Sequence, residues 1–134
     1  MILASYRNMI QFVYSTFNKS YKQLIAKHLQ PIFDGNREIV VICQSSGLHM
    51  LKAALPFMTL YQELKITVIA LGPVTIGRFR EDRFKLVVFK GYKDWVSQCF
   101  DRQPVDYWVS CNHFEYCGCQ ELIDALGGVL DNEH

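Results

Sequence analysis

A serine, an aspartate and a histidine, each placed just beyond an apolar run, carry the chemistry legible in this chain: Ser45, Asp94 and His113. Ser45 lies in Cys43-Gln44-Ser45-Ser46-Gly47, between the apolar, β-branched run Glu38–Cys43 and an apolar segment that begins at Leu48. Small residues two before and two after a serine permit a turn from strand to helix too sharp for larger side chains, and the turn lifts the hydroxyl clear. A serine hydroxyl is a poor nucleophile at neutral pH. An imidazole must take its proton, and a carboxylate must fix the imidazole's tautomer and stabilise its cation. Asp94, in Gly91-Tyr92-Lys93-Asp94-Trp95-Val96, and His113, in Ser110-Cys111-Asn112-His113-Phe114-Glu115, supply one of each. The backbone N–H of Ser46, at the start of the next helix, is the expected oxyanion donor.

Ordinary turn chemistry competes for the same residues. Ser45 or Ser46 can cap the following helix, Asp94 can cap a helix opening at Trp95, and Asn112 with Glu115 resembles a capping pair around His113. His28 and His49 read as surface or packing residues and His134 as a tail residue. Asp101 and Asp106 are rival acids, but Asp106 opens a strand at the opposite end of a parallel sheet. Cys111-x-His113-x3-Cys117-x-Cys119 holds ligand types that suit zinc. Its spacing lacks a Cys-x2-Cys knuckle, and residues two apart on a helix diverge, so buried thiols are the expected reading and no metal or organic cofactor is implied. Cys43, at the narrow position of the turn, is expected to be buried and inert.

The elements that must position these residues alternate. Apolar residues at Met9, Ile10, Val13, Phe17, Tyr21, Leu24 and Ile25 have helical spacing, bent or split at Asn18-Lys19-Ser20. Pro31 places the end of that helix near Leu29. Strands are expected at Glu38–Cys43, Ile66–Leu71, Phe84–Phe89 and Val105–Cys111. Helices are expected over 48–63, bent at Pro56, over 94–100, and over 114–126 with a glycine C-cap at Gly127-Gly128. Uniformly apolar strands separated by helical segments imply an α/β fold, with about four parallel strands and helices on both faces of the sheet, in one domain spanning 1–134. The link from Leu71 to Phe84 shows no helical period. In parallel sheets ligands bind beyond the carboxyl ends of the strands, where Ser45, Asp94 and His113 all fall.

Composition narrows the partners. In 134 residues, 14 Lys and Arg stand against 13 Asp and Glu, so no basic groove for nucleic acid is indicated. Arg78, Arg80, Arg83 and Lys85 are interrupted by Glu81 and Asp82 and read as a solvated loop. No apolar run reaches the roughly 18 residues of a membrane span. The start of the chain lacks a signal-peptide pattern. Five unevenly spaced cysteines imply free thiols in a reducing cytoplasm.

From about Tyr6 to Leu126 the chain resembles the C-terminal half of an α/β-hydrolase. Cys43-Gln44-Ser45-Ser46-Gly47 resembles the nucleophile elbow after that superfamily's fifth strand, Asp94 sits where its acid often follows the seventh, and His113 where its base follows the eighth. More narrowly, the elbow, Gly72-Pro73 and Tyr92-Lys93-Asp94-Trp95-Val96 are similar to uncharacterised hydrolase-like chlamydial proteins. The resemblance implies a serine hydrolase acting on an ester or thioester, with Ser45, Asp94 and His113 as catalytic residues and Ser46 as oxyanion donor. The half without counterpart here normally supplies the second oxyanion N–H, which leaves three alternatives: another backbone N–H substitutes, with the Leu71-Gly72-Pro73 turn as a candidate, activity is feeble, or the chain is a decayed or split remnant. It also flanks the strand at Glu38–Cys43, whose open edge leads to the expectation of a homodimer or a separate N-terminal partner unless the first helix covers it. The alternative is a catalytically inactive hydrolase-fold protein acting as an interaction module.

Overall fold

A computed structural model describes residues 2–132. Among these residues the chain folds as helices α1 (Ile2–Phe17) and α2 (Lys19–Asp34), strand β1 (Glu38–Gln44), helix α3 (Gly47–Ala54), strands β2 (Lys65–Leu71) and β3 (Phe84–Gly91), helix α4 (Trp95–Phe100), strand β4 (Tyr107–Val109) and helix α5 (Gln120–Asp131). The strands form one sheet in the order β1-β2-β3-β4, and every pairing is parallel. Alternation along β2 feeds two cores. Ile66, Val68 and Ala70 pack with Leu48 and Leu51 of α3 and Phe33 of α2. Ile69 and Leu71 join Phe89, Val109, Tyr116 and, from α5, Leu122 and Val129. The expected α/β class, with helices on both faces of a parallel sheet, is what the chain forms.

Several boundaries differ from the expectations, each because packing outweighs a local signal. Asn18 divides α1 from α2, and its side chain accepts the Tyr21 N–H at 2.9 Å. Helix α2 does not end near Leu29 but runs through Pro31 to Asp34. An internal proline costs about 3 kcal/mol, and continuing the helix buries Phe33, which is 2% exposed, a gain of comparable size. The segment after Gly47 is helical only to Ala54, followed by a 3₁₀ turn at Leu55–Phe57 and an extended Met58. There the carboxamide of Gln30 replaces helical bonds: its Nε2 donates to Thr59 O at 2.6 Å and its Oε1 accepts Thr59 N–H at 2.9 Å. Helix α5 begins later than expected, after a 3₁₀ turn at Tyr116–Gly118, and passes through Gly127 and Gly128 to Asp131. Two interior glycines cost about 1 kcal/mol each; beyond them Val129 is buried and Leu130 packs on the same core. Strand β4 is shorter than Val105–Cys111, pairing only Tyr107, Trp108 and Val109 with β3, after which Ser110 N–H turns to the Glu121 carboxylate at 2.7 Å.

Helix α1 lies on α2 and α3, fixed by a buried histidine. Thr16 Oγ1 donates to Phe12 O at 2.7 Å and stands 2.8 Å from His49 Nε2, so the imidazole N–H is the donor to Thr16. His49 Nδ1 is buried without a hydrogen-bond partner, and the Phe12 ring lies 4.5 Å from the imidazole, centroid to centroid. Burial first, then Lys52 and Lys22, push the His49 pKa from 6.5 down to about 4. An unfolded chain therefore binds a proton that the folded chain refuses. The stabilisation is complete above pH 6.5 and is lost as pH falls toward 4. We expect denaturant midpoints to report a loss on the order of 2–3 kcal/mol between pH 7.5 and 4.5, and His49→Gln to remove that share of the pH dependence. Equal pH slopes in the two proteins would contradict it.

Candidate active site

The chain enters the site along β1, and just past its end the backbone at Ser45 takes φ +53°, the one positive φ of a non-glycine residue among the described residues. A strained residue persists only where its surroundings over-determine it. Here Ser45 N–H donates to Leu71 O at 3.1 Å, and Ser45 O accepts Val74 N–H at 2.9 Å. The flanking small residues are a steric necessity: a Cβ on Gly47 would lie 2.9 Å from Cys43 Cβ. Ser46 heads α3 without a side-chain capping bond, so capping does not account for the serine pair. Its N–H stands among the amides that a helix start leaves without intrahelical partners.

The turns after β1, β3 and β4 bring Ser45, Asp94 and His113 into one hydrogen-bonded row. Ser45 Oγ is 2.9 Å from His113 Nε2, and His113 Nδ1 is 2.9 Å and 3.0 Å from Asp94 Oδ1 and Oδ2. Asp94 is fully buried and His113 is 8% exposed. Asp94 also heads α4, accepting Ser97 N–H at 3.0 Å and the Ser97 hydroxyl at 2.8 Å. Capping and pairing with His113 are thus one arrangement rather than rivals. Tyr116, completely buried, accepts Gly91 N–H at 2.8 Å and donates to Asp94 Oδ2 at 2.6 Å. Burial pushes the Asp94 carboxyl up, but the hydrogen bonds from His113, Ser97 and Tyr116 outweigh it and hold the pKa at about 2. Asp94 is therefore an anion at any pH near neutrality. Burial, then Asp94, raises the Tyr116 phenol, which keeps it a donor.

Two residues support Asp94 in a way no sequence signal assigns to them. Tyr116 reads as one aromatic among many and finds Asp94 only through the fold. Gly72, at φ +50°, leaves room for the acid: a Cβ there would stand 2.5 Å from Asp94 Oδ2 and 2.5 Å from the Tyr116 ring. The expectation that the Leu71-Gly72-Pro73 turn offers a second oxyanion donor is not met. Gly72 N–H donates to Phe89 O at 2.8 Å, extending the β2–β3 ladder, and proline has no N–H.

The rival residues are placed elsewhere. Asp101 pairs with buried Lys90 at 2.8 Å, and Asp106 accepts Val88 N–H at 2.8 Å ahead of β4. His49 belongs to the α1–α3 contact and His28 is exposed; His134 lies outside the described residues. Both nitrogens of His113 are engaged by Ser45 and Asp94, and no group of three or more His, Cys, Asp or Glu among the described residues is placed to hold a metal ion. Burial pushes the Cys43 thiol up to about 12, the behaviour of an inert packing residue. Cys111 is likewise raised to about 12, by burial and then by Cys119; of the thiols expected to be buried it alone is so, Cys43 and Cys119 being half-buried and Cys117 exposed. Among the described residues no helix is long and apolar enough to cross a membrane.

A cavity of about 550 Å³ opens beside Ser45 and His113, walled by α1, α4 and the loops after β2 and β4. A larger cavity near Asp34, Tyr61 and Lys65 lies at the opposite end of the strands, at the β1 and β2 starts, away from any nucleophile–base pair. No protein-family model, no curated protein and no solved structure matches the chain.

Proposed function

We propose that the protein is a serine hydrolase acting on an ester or thioester. The observation that carries this reading is the continuous row Ser45 Oγ–His113 Nε2, His113 Nδ1–Asp94, headed by a nucleophile on a strained turn. In the proposed reaction His113 takes the Ser45 proton as Oγ attacks the carbonyl carbon. The Ser46 N–H receives the oxyanion, and the proton passes to the leaving alcohol or thiol. Water, activated by the same imidazole, then releases the acid from the acyl-serine. Asp94 holds Nδ1 protonated, so that Nε2 is free to accept. Offsets from the elbow to the acid, two strands on, and to the base, three strands on, support the likeness to the C-terminal half of an α/β-hydrolase. With one backbone donor in place of two, the rate is expected to be about 10²–10³ below that of a site with both. Saturable hydrolysis of p-nitrophenyl butyrate by wild type, lowered about 10⁴-fold or more in Ser45→Ala, is the test; equal rates in the two proteins would refute the reading.

A second reading, association through the sheet edge, is favoured by β1. That strand pairs only with β2 among the described residues, and Val40 and Ile42 are exposed on it. An unpaired apolar edge invites strand addition. We expect sedimentation to show concentration-dependent self-association that Ile42→Lys abolishes. A monomer at every concentration would count against a homodimer and leave a separate partner as the only form of this reading.

A further inference from the structure

Resting on the serine-hydrolase reading, we infer that the cavity beside Ser45 takes an uncharged, apolar acyl group, and that α1 is the wall that selects it. Met9 and Phe12 of α1, Val74 after β2, Val96 and Phe100 of α4, and Phe114 after β4 give the cavity its apolar surface. Among the described residues no Asp, Glu, Lys or Arg lines it, and its polar residues besides the serines and His113 are the uncharged Asn8 and Gln44. A carboxylate or ammonium placed there loses its water without gaining a partner. An apolar chain instead covers surface that is otherwise wet: Met9, Phe100 and Phe114 are each nearly 60% exposed. About 550 Å³ is within the roughly 300–1,000 Å³ of small-molecule sites.

The α1 wall is part of the fold rather than a loose surface. Phe12 stacks at a tilt on buried His49, and Thr16, one turn further, bonds the same imidazole. Met9 lies one turn before Phe12 and so presents to the cavity from a fixed helix. Helix α1 precedes the elbow strand in sequence, so the selecting wall and the nucleophile come from separate elements. Substitutions at Met9 can thus alter preference without rebuilding the turn at Ser45.

The test combines two readouts. Adduct formation at Ser45 by a small fluorophosphonate reports the activated serine alone. A p-nitrophenyl ester series from acetate to octanoate, with the hemisuccinate as charged counterpart, reports the cavity. We expect kcat/KM to rise about fourfold per methylene and the hemisuccinate to fall below the butyrate. Met9→Trp should flatten the rise, and Met9→Lys should reverse the preference toward the hemisuccinate. A labelled Ser45 with a flat chain-length series, or with a rise that neither Met9 variant changes, would overturn the cavity's role and leave the hydrolase reading intact. No adduct and no turnover would overturn both.

Discussion

Ser45→Ala, His113→Ala and the double variant are expected to hydrolyse p-nitrophenyl butyrate at one common residual rate, about 10⁴-fold or more below wild type. Each substitution removes the same step. Without His113 the Ser45 proton has no acceptor, and without Ser45 the imidazole has no nucleophile to activate. Groups that act as a unit show this non-additivity, and loss of either nucleophile or base in a serine hydrolase approaches about 10⁶. The residual rate would come from cavity binding and the Ser46 N–H. Stability should change little for Ser45→Ala, because both backbone bonds of Ser45 remain, although alanine at φ +53° retains the strain. Independent, multiplying losses in the two single variants would show that the 2.9 Å Ser45–His113 contact is not a working pair.

Asp94→Asn is expected to lower kcat by about 10³-fold or more, with KM little changed. The Ser97 N–H can only donate, which fixes the asparagine oxygen at the Oδ1 position and puts the amide group toward Ser97 Oγ and Tyr116 Oη. Those hydroxyls can turn to accept, so the fold survives, but the anion beside the imidazolium is lost. At roughly 4 Å and an effective dielectric near 20 that attraction is worth about 4 kcal/mol, which sets the factor. Because Asp94 in the wild type titrates only near pH 2, the wild type carries the anion at any pH near neutrality and the loss should be fully present at pH 7. The same depressed pKa makes Asp94 a stabilising anion above pH 4 whose contribution fades as pH falls toward 2; the asparagine variant should lack that acid limb. A kcat within about tenfold of wild type would point to another acid beside His113.

Much of this was legible because it depends on short-range pattern. The β-branched runs at Ile39–Ile42 and Ile66–Leu71, the small residues around Ser45, and polar residues just past three strands place themselves by period and turn chemistry alone. Where one signal met another, the stronger depended on tertiary contacts the chain does not display. Pro31 signalled a stop, but Phe33 needed the core. Gly127-Gly128 signalled a cap, but Val129 needed the sheet. Met58 and Leu60 kept helical spacing while packing from an extended segment held by Gln30. Tyr116 was invisible as a support of Asp94 because its role lies in a 2.6 Å contact across 22 residues. The α1 wall was invisible for the same reason, since the spacing of Met9 and Val13 marks a helix but not what stands opposite it.

The most direct measurement is the intact mass of the protein after treatment with a fluorophosphonate, for wild type, Ser45→Ala and His113→Ala. A single adduct on the wild type, absent from Ser45→Ala and strongly slowed in His113→Ala, is the predicted result. It would show a serine activated by the histidine that stands 2.9 Å away. No adduct on a wild-type protein shown to be folded, or an adduct that forms equally fast without His113, would contradict the hydrolase reading and turn attention to the open edge of β1.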